Sequence, residues 1–149
     1  METLDDFSPV QEEKTYTHVS HGKRLANFFI DRVVFTIISI GVMILVMDEN
    51  YWDSDVHIMD YVIEYSIFVL GYIILEASTG QSIGKMITGT IVVTEDGQKP
   101  SFGQILGRSF ARIVPFEPFS FLGNDASGWH DKWSETKVIL KSEYNPNQF

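Results

Sequence analysis

Asp31 and Glu64 stand inside long runs of apolar residues, and Arg24, Lys85, Arg108 and Arg112 lie near the ends of those runs or shortly after them. Ionisable groups in such company either pair with one another or line a route for ions or small solutes. Two carboxyls can also share a proton, as in an aspartyl dyad. His130–Asp131 sets an imidazole beside a carboxylate, a neighbour pair met more often at surfaces and interfaces than as a relay. Other chemistry has little to stand on. There is no Gly-rich phosphate loop, no Gly-x-Ser-x-Gly elbow and no His-Glu-x-x-His zinc motif. The chain has no cysteine, which removes disulfides, thiolate zinc sites, iron–sulfur clusters and cysteine nucleophiles. His18 and His21 are three apart in a polar stretch, a weak basis for a metal. The expectation is a protein without enzymatic activity, metal or other cofactor.

Positioning these groups falls to two apolar segments. Across 149 residues, 44% are hydrophobic and the formal net charge is −9. That balance opposes a nucleic-acid partner, because phosphate binding needs a basic face. The averages resemble a soluble protein, yet apolar and acidic residues are segregated. Val33–Met47 has no charge in 15 residues, whereas Asp48–Asp60 holds five acids and no Lys or Arg. The first segment, Leu25–Met47, is interrupted only by Asp31 and Arg32. As a helix it rises about 34 Å, enough for a hydrocarbon core of about 30 Å. Thr36, Ser39 and Gly41 in it are small enough for close helix packing. The second, Tyr61–Leu75, carries only Glu64, and from Met59 to Ala77 it gives 19 residues. That is a borderline span with little room for tilt. Tyr51, Trp52 and Tyr61 suit one membrane interface.

Beyond Glu76 the pattern changes. Gly80, Gly84 and Gly89 break up Ser78–Thr90, and Thr90–Thr94 reads as a β-branched strand followed by an Asp96–Gly97 turn. Ser101 with Gln104 forms a capping box for a helix carrying Phe102, Ile105, Leu106, Phe110 and Ile113 at helical spacing. Pro115 and Pro118 end or kink it. Phe110–Leu122 is too short and broken for a span and reads as a re-entrant or interfacial element. Lys137–Leu140 is placed to pair with Thr90–Thr94. The fold class expected is an all-α membrane protein of two transmembrane helices, a third short re-entrant or interfacial helical element, and a small β-ribbon. Residues 1–22 read as a flexible acidic tail lacking the basic start and apolar core of a signal peptide, 23–141 as the membrane domain, and 142–149 as a polar tail.

Basic residues orient the spans. Lys14, Lys23, Arg24 and Arg32 flank the first, while Lys85, Lys99, Arg108, Arg112, Lys132, Lys137 and Lys141 follow the second. The amino terminus and everything after Glu76 therefore belong inside, and loop 48–60 outside, so the third element enters and returns. Arg24 and Asp31, seven apart, share a helix face about 10 Å apart along the axis. Arg32 can snorkel to the near surface. Asp31 and Glu64 then admit two readings, a polar or ion path and interhelical ion pairs that fix docking. The acidic loop is either a cation funnel or a solvated turn. Two functions follow. One is transport of a cation or small solute through the intramembrane carboxylates, which requires a homo-oligomer because so small a chain cannot enclose a pathway. The other is a non-transporting accessory subunit docked onto a larger membrane complex through Ser39, Gly41 and the aromatic third element. Either way the lipid bilayer is a partner.

Four blocks of the chain resemble one family. Gly22-Lys-Arg-Leu-Ala-Asn-Phe-Phe-Ile-Asp31-Arg32 is similar to the opening of the RDD family of small bacterial membrane proteins, named for one arginine and two aspartates. Thr79–Val93 resembles its next block, Asp96-Gly97 with Pro100-Ser101 and Arg108 the third, and Trp129-His130-Asp131-Lys132 with Thr136 the last. The likeness runs from Lys23 to Leu140. It implies that Arg24 is the family arginine, Asp31 its first aspartate and Asp131 its second, with Lys85, Arg108, Arg112 and His130 in support. It also implies a small protein of the bacterial inner (cytoplasmic) membrane with no assigned reaction, so that the charge-derived topology makes it multi-pass with a cytoplasmic amino terminus and a periplasmic loop 48–60; ligand or cation transport has been suggested for the family. The Phe- and Pro-rich stretch 115–122 departs from the pattern, and the two tryptophans around His130-Asp131 suit an interfacial anchor. With this topology Arg24 and Asp131 are expected to meet at the cytoplasmic interface, with Asp31 deeper, and reversing both charges should restore folding lost in either single variant.

Overall fold

The computed structural model describes residues 16–17, 19–47, 58–114, 120 and 128–145. Among these the chain is mostly helical, with two long apolar helices and one two-stranded sheet. Helix α1, His21–Val46, begins with the Ser20 hydroxyl accepting from the Lys23 amide at 3.4 Å. Helix α2 is Ile58–Thr79. At 26 and 22 residues they rise about 39 and 33 Å. Both are longer than the segments expected, although α1 stops at Val46 rather than Met47, and both are long and apolar enough to cross a membrane.

Their burial is inverted relative to a soluble helix. The buried stripe of α1 is Arg24, Asn27, Asp31, Phe35, Ser39 and Met43, at steps of three or four that keep it on one face. The uncovered surface is apolar: Ile37 is 63% exposed, Leu45 85%, and Ile74 on α2 64%. The two helices meet where the Phe35 ring lies on Gly71. A Cβ there would come within 2.2 Å of the ring, so only glycine admits it. Phe35, Phe68 and Tyr72 form edge and tilted ring contacts at 5.0–5.8 Å.

Helix α3, Ile83–Thr88, forms within the stretch that the glycines were expected to break up. Its glycines serve it. Gly84 lets the α3 backbone touch α1, since a Cβ would sit 2.4 Å from the Asn27 carbonyl oxygen. Gly89, at φ 69°, supplies the left-handed cap. Strands β1, Thr90–Thr94, and β2, Thr136–Leu140, pair antiparallel with Thr90 opposite Leu140 and Thr94 opposite Thr136, the ribbon expected from sequence. One face buries Val92 and Val138 against Val19. The other buries Ile91, Val93 and Ile139, with Tyr16 and Tyr144 packed on them. Tyr16 and Val19, read as tail, thus belong to the ribbon's core.

Helix α4, Phe102–Ala111, has the anticipated Ser101–Gln104 capping box. Helix α5, Trp129–Trp133, and a 3-10 turn, Lys141–Glu143, complete the cap. Most of the third apolar element, most of the acidic loop and His18 fall outside the described residues.

Candidate functional site

Where the helix pair meets the cap, each of the five helices contributes at least one ionisable side chain to a shared interior. The stripe Phe68–Tyr72–Glu76 runs down α2 at steps of four and ends on a fully buried carboxylate. Glu76 Oε1 accepts from Lys85 Nζ of α3 at 2.7 Å and from Arg112 Nη2 at 2.9 Å. Its Oε2 accepts from Arg108 Nε of α4 at 3.2 Å. The Arg112 guanidinium lies over the Tyr72 ring, 3.9 Å from its centroid, a desolvated cation–π contact.

Arg108, fully buried, carries the network onward. Its Nη1 donates to Asp131 Oδ1 of α5 at 2.6 Å and also to the Thr136 hydroxyl of β2. Asp131 Oδ2 accepts from Arg24 Nη1 of α1 and from the Gly128 amide at 3.4 Å, and His130 Nε2 lies 3.3 Å from Oδ1. The contact expected between Arg24 and Asp131 is therefore present. It is not exclusive, however, because Arg108 shares the carboxylate. An arginine at 131 would face Arg108, so reversing both charges is now expected to fail. Nor is His130–Asp131 a surface pair, since Asp131 is fully buried and His130 nearly so.

Asp31, 1% exposed, is the third interior acid. Its Oδ1 accepts from the Gly84 amide at 2.6 Å, and its Oδ2 from the Tyr72 hydroxyl at 2.8 Å and Ser82 Oγ at 2.6 Å. The carboxylate ties α1 to α2 and to the first turn of α3, and the close approach at Gly84 brings the amide within reach. Beside it Asn27 lies 3.1 Å from the Thr90 hydroxyl, joining α1 to the ribbon.

Glu64 stands apart. It pairs with Arg32 at 2.6 Å and lies 3.4 Å from Thr36 Oγ1. Eight residues separate it from Tyr72, about 12 Å along α2, and among the described contacts it shares no partner with Asp31. The structure does not join these two acids into a path. Arg32, expected to snorkel, is engaged by Glu64 instead and lies over the Phe68 ring, 5.7 Å from its centroid.

Burial and neighbouring charges act against one another on Asp131 and Lys85. Burial pushes the Asp131 carboxyl up, but His130, Arg108 and Arg24 around it outweigh that and hold it well below its ordinary 3.8. Burial lowers the Lys85 ammonium, Glu76 opposes the shift, and Arg112 and Arg108 add to it. Four cations, Arg24, Lys85, Arg108 and Arg112, face three carboxylates, Asp31, Glu76 and Asp131. Stripping one member from such a cluster is costly, because its partners remain buried without compensation. What the arrangement does chemically is clamp: α1, α2, α3, α4, α5 and β2 all meet in one bonded interior.

Glu76, Tyr72, Ser82 and Thr136 escaped sequence reasoning as members of this site. The available signal for Glu76 was its place four residues beyond Tyr72 on the apolar stripe, as the lone acid closing that segment.

A helical hairpin of bilayer length, clamped through interior ion pairs to a small cap of short helices and a ribbon, defines the class of protein. The RDD family model matches residues 19–135, and the chain belongs to the RDD family. It is also similar to the uncharacterized protein YxaI of Bacillus subtilis (strain 168), 31% identical over 143 residues that span 79% of this chain and 94% of that one. No solved structure matches.

Proposed function

We propose that the chain crosses the bacterial cytoplasmic membrane twice, with its amino terminus and cap in the cytoplasm and loop 48–60 in the periplasm. In this reading it works there as a non-enzymatic accessory subunit docking onto other membrane proteins. The apolar, uncovered outer surface of α1 and α2 supports the bilayer location, since a soluble monomer rarely exposes so large an apolar area. The distribution of basic residues supports the orientation.

One observation carries the accessory role. Asp31 already accepts three hydrogen bonds, from Gly84, Tyr72 and Ser82, and beyond it the buried core of the helix contact is the apolar cluster of Phe35, Phe68, Val69 and Tyr72. A single chain so packed offers an ion no continuous polar route among the described residues.

Transport by self-associated chains is the second reading. The half-exposed Arg32–Glu64 pair on the helix surface favours it, with side chains 38% and 24% exposed. Two measurements separate the readings: flux of protons and alkali cations into sealed vesicles, and native mass after mild solubilisation of the source membrane. The accessory role predicts flux no greater than in empty vesicles and a second polypeptide in fixed stoichiometry. A pure homo-oligomer whose flux is abolished by Glu64→Gln would overturn it in favour of transport.

A further inference from the structure

The Arg32–Glu64 pair lies within the apolar belt rather than at either helix end. Arg32 is the twelfth of 26 residues in α1, and Glu64 the seventh of 22 in α2. Around it the surface is apolar and uncovered, with Phe29 56% exposed, Ile40 50% and Tyr61 60%. Phe29, Arg32, Thr36 and Ile40 follow one another at steps of three and four, so they form one stripe of α1. Tyr61 precedes Glu64 by three on α2. Charged side chains within spanning helices face a bundle interior or water rather than acyl chains. Arg32 and Glu64 nevertheless keep 38% and 24% of their side chains open. Among the described residues the other paired Arg, Lys, Asp and Glu side chains of the helix pair and cap, Arg24, Glu76, Lys85, Arg108, Arg112 and Asp131, keep no more than 8% of their side chains open.

We propose that this stripe is the contact between two copies of the chain, related by a two-fold axis along the membrane normal. Self-complementary charge identifies the occupant. The pair presents one cation and one anion side by side, and a two-fold axis along the normal keeps both at the same depth in each copy. Arg32 of each copy then meets Glu64 of the other, and the four charges close into a ring. A foreign partner would have to bring the same two charges at the same depth. Thr36, already within reach of Glu64 at 3.4 Å, adds a hydroxyl to the ring, and Phe29, Ile40 and Tyr61 supply an apolar rim. The inference rests on the helices lying in lipid and is independent of whether the protein transports.

The test uses full-length protein in lipid nanodiscs, with mass read by native mass spectrometry. Wild type is expected at twice the 17.0 kDa chain mass. Arg32→Glu alone leaves two acids on the face and Glu64→Arg alone leaves two cations. Each is expected to weaken self-association by roughly 3- to 30-fold, the range of single polar contacts between membrane helices. Co-expressed under different tags, the two variants should form mixed dimers in clear excess over either homodimer. That excess is a readout which loss of folding in one variant cannot imitate. Wild type at the mass of one chain, or variants that associate as well as wild type without preferring each other, would overturn the dimer. Recovery of the protein in the soluble fraction without detergent would instead remove the bilayer reading beneath it.

Discussion

Asp131→Asn keeps the shape of the side chain and removes its charge, and the consequence follows from who loses a partner. Arg24 has Asp131 as its carboxylate among the described residues, whereas Arg108 retains Glu76 through Nε at 3.2 Å. The substitution therefore leaves Arg24 buried, 8% exposed, against a neutral amide. Removing one member of a buried pair costs about 3–5 kcal/mol, a fifth or more of the roughly 5–15 kcal/mol that holds a typical domain folded. Arg24→Met should cost less, about 2 kcal/mol, because Asp131 keeps Arg108 and the Gly128 amide. Combined, the two should cost no more than Asp131→Asn alone, a coupling of about 2 kcal/mol. Trp129 and Trp133 sit two residues either side of Asp131 with their rings stacked at 6.0 Å, and they report on this site directly. Equilibrium unfolding in mixed micelles of rising SDS fraction, followed by their fluorescence in a Trp52→Phe background, supplies the energies. A loss under about 1 kcal/mol for Asp131→Asn, or simple additivity in the double variant, would refute the clamp.

Three further outcomes follow from the same interior. The folded Asp131 carboxyl is held well below 3.8, so its contribution is whole above about pH 4 and is lost as pH falls through the folded value; the gap in stability between wild type and Asp131→Asn should shrink along that acid limb, measured by the same fluorescence. Gly84→Ala drives a methyl to 2.4 Å from the Asn27 carbonyl oxygen and should destabilise by about 3 kcal/mol, whereas Gly22→Ala, with nothing within 4 Å, should leave the unfolding midpoint unchanged or slightly raised. The double charge reversal Arg24→Asp with Asp131→Arg should remain as unstable as either single variant, because the new arginine meets Arg108; recovery of wild-type unfolding would show that Arg108 does not share that carboxylate.

The parts of the fold that declared themselves in sequence are those governed by local rules. Long apolar runs with few charges marked both long helices, Thr-Ile-Val-Val-Thr marked a strand, and Ser101 with Gln104 marked a helix start that the structure reproduces. What stayed hidden depends on distant partners. Gly80, Gly84 and Gly89 look like breakers in isolation; in the fold Gly84 is a point of backbone contact and Gly89 a left-handed cap, so a helix forms between them. Two acids in two apolar segments looked like one feature. Their separation became visible only once Asp31 was seen facing α3 and Glu64 facing Arg32. Glu76 illustrates the same limit from the other side. Its neighbours in sequence carry no charge between Glu64 and Lys85, and every cation that defines its role arrives from later elements.

Because the chain contains no cysteine, single engineered thiols can map its environment without background. Ile37→Cys lies mid-helix on the uncovered face of α1, Ile58→Cys at the start of α2, and Ser142→Cys in the 3-10 turn of the cap. In intact cells an impermeant maleimide should label Ile58→Cys, should reach Ser142→Cys only after permeabilisation, and should leave Ile37→Cys unmodified in both. Rapid labelling of Ile37→Cys, or of Ser142→Cys from outside, would contradict a hairpin threaded through the bilayer with its clamped cap in the cytoplasm.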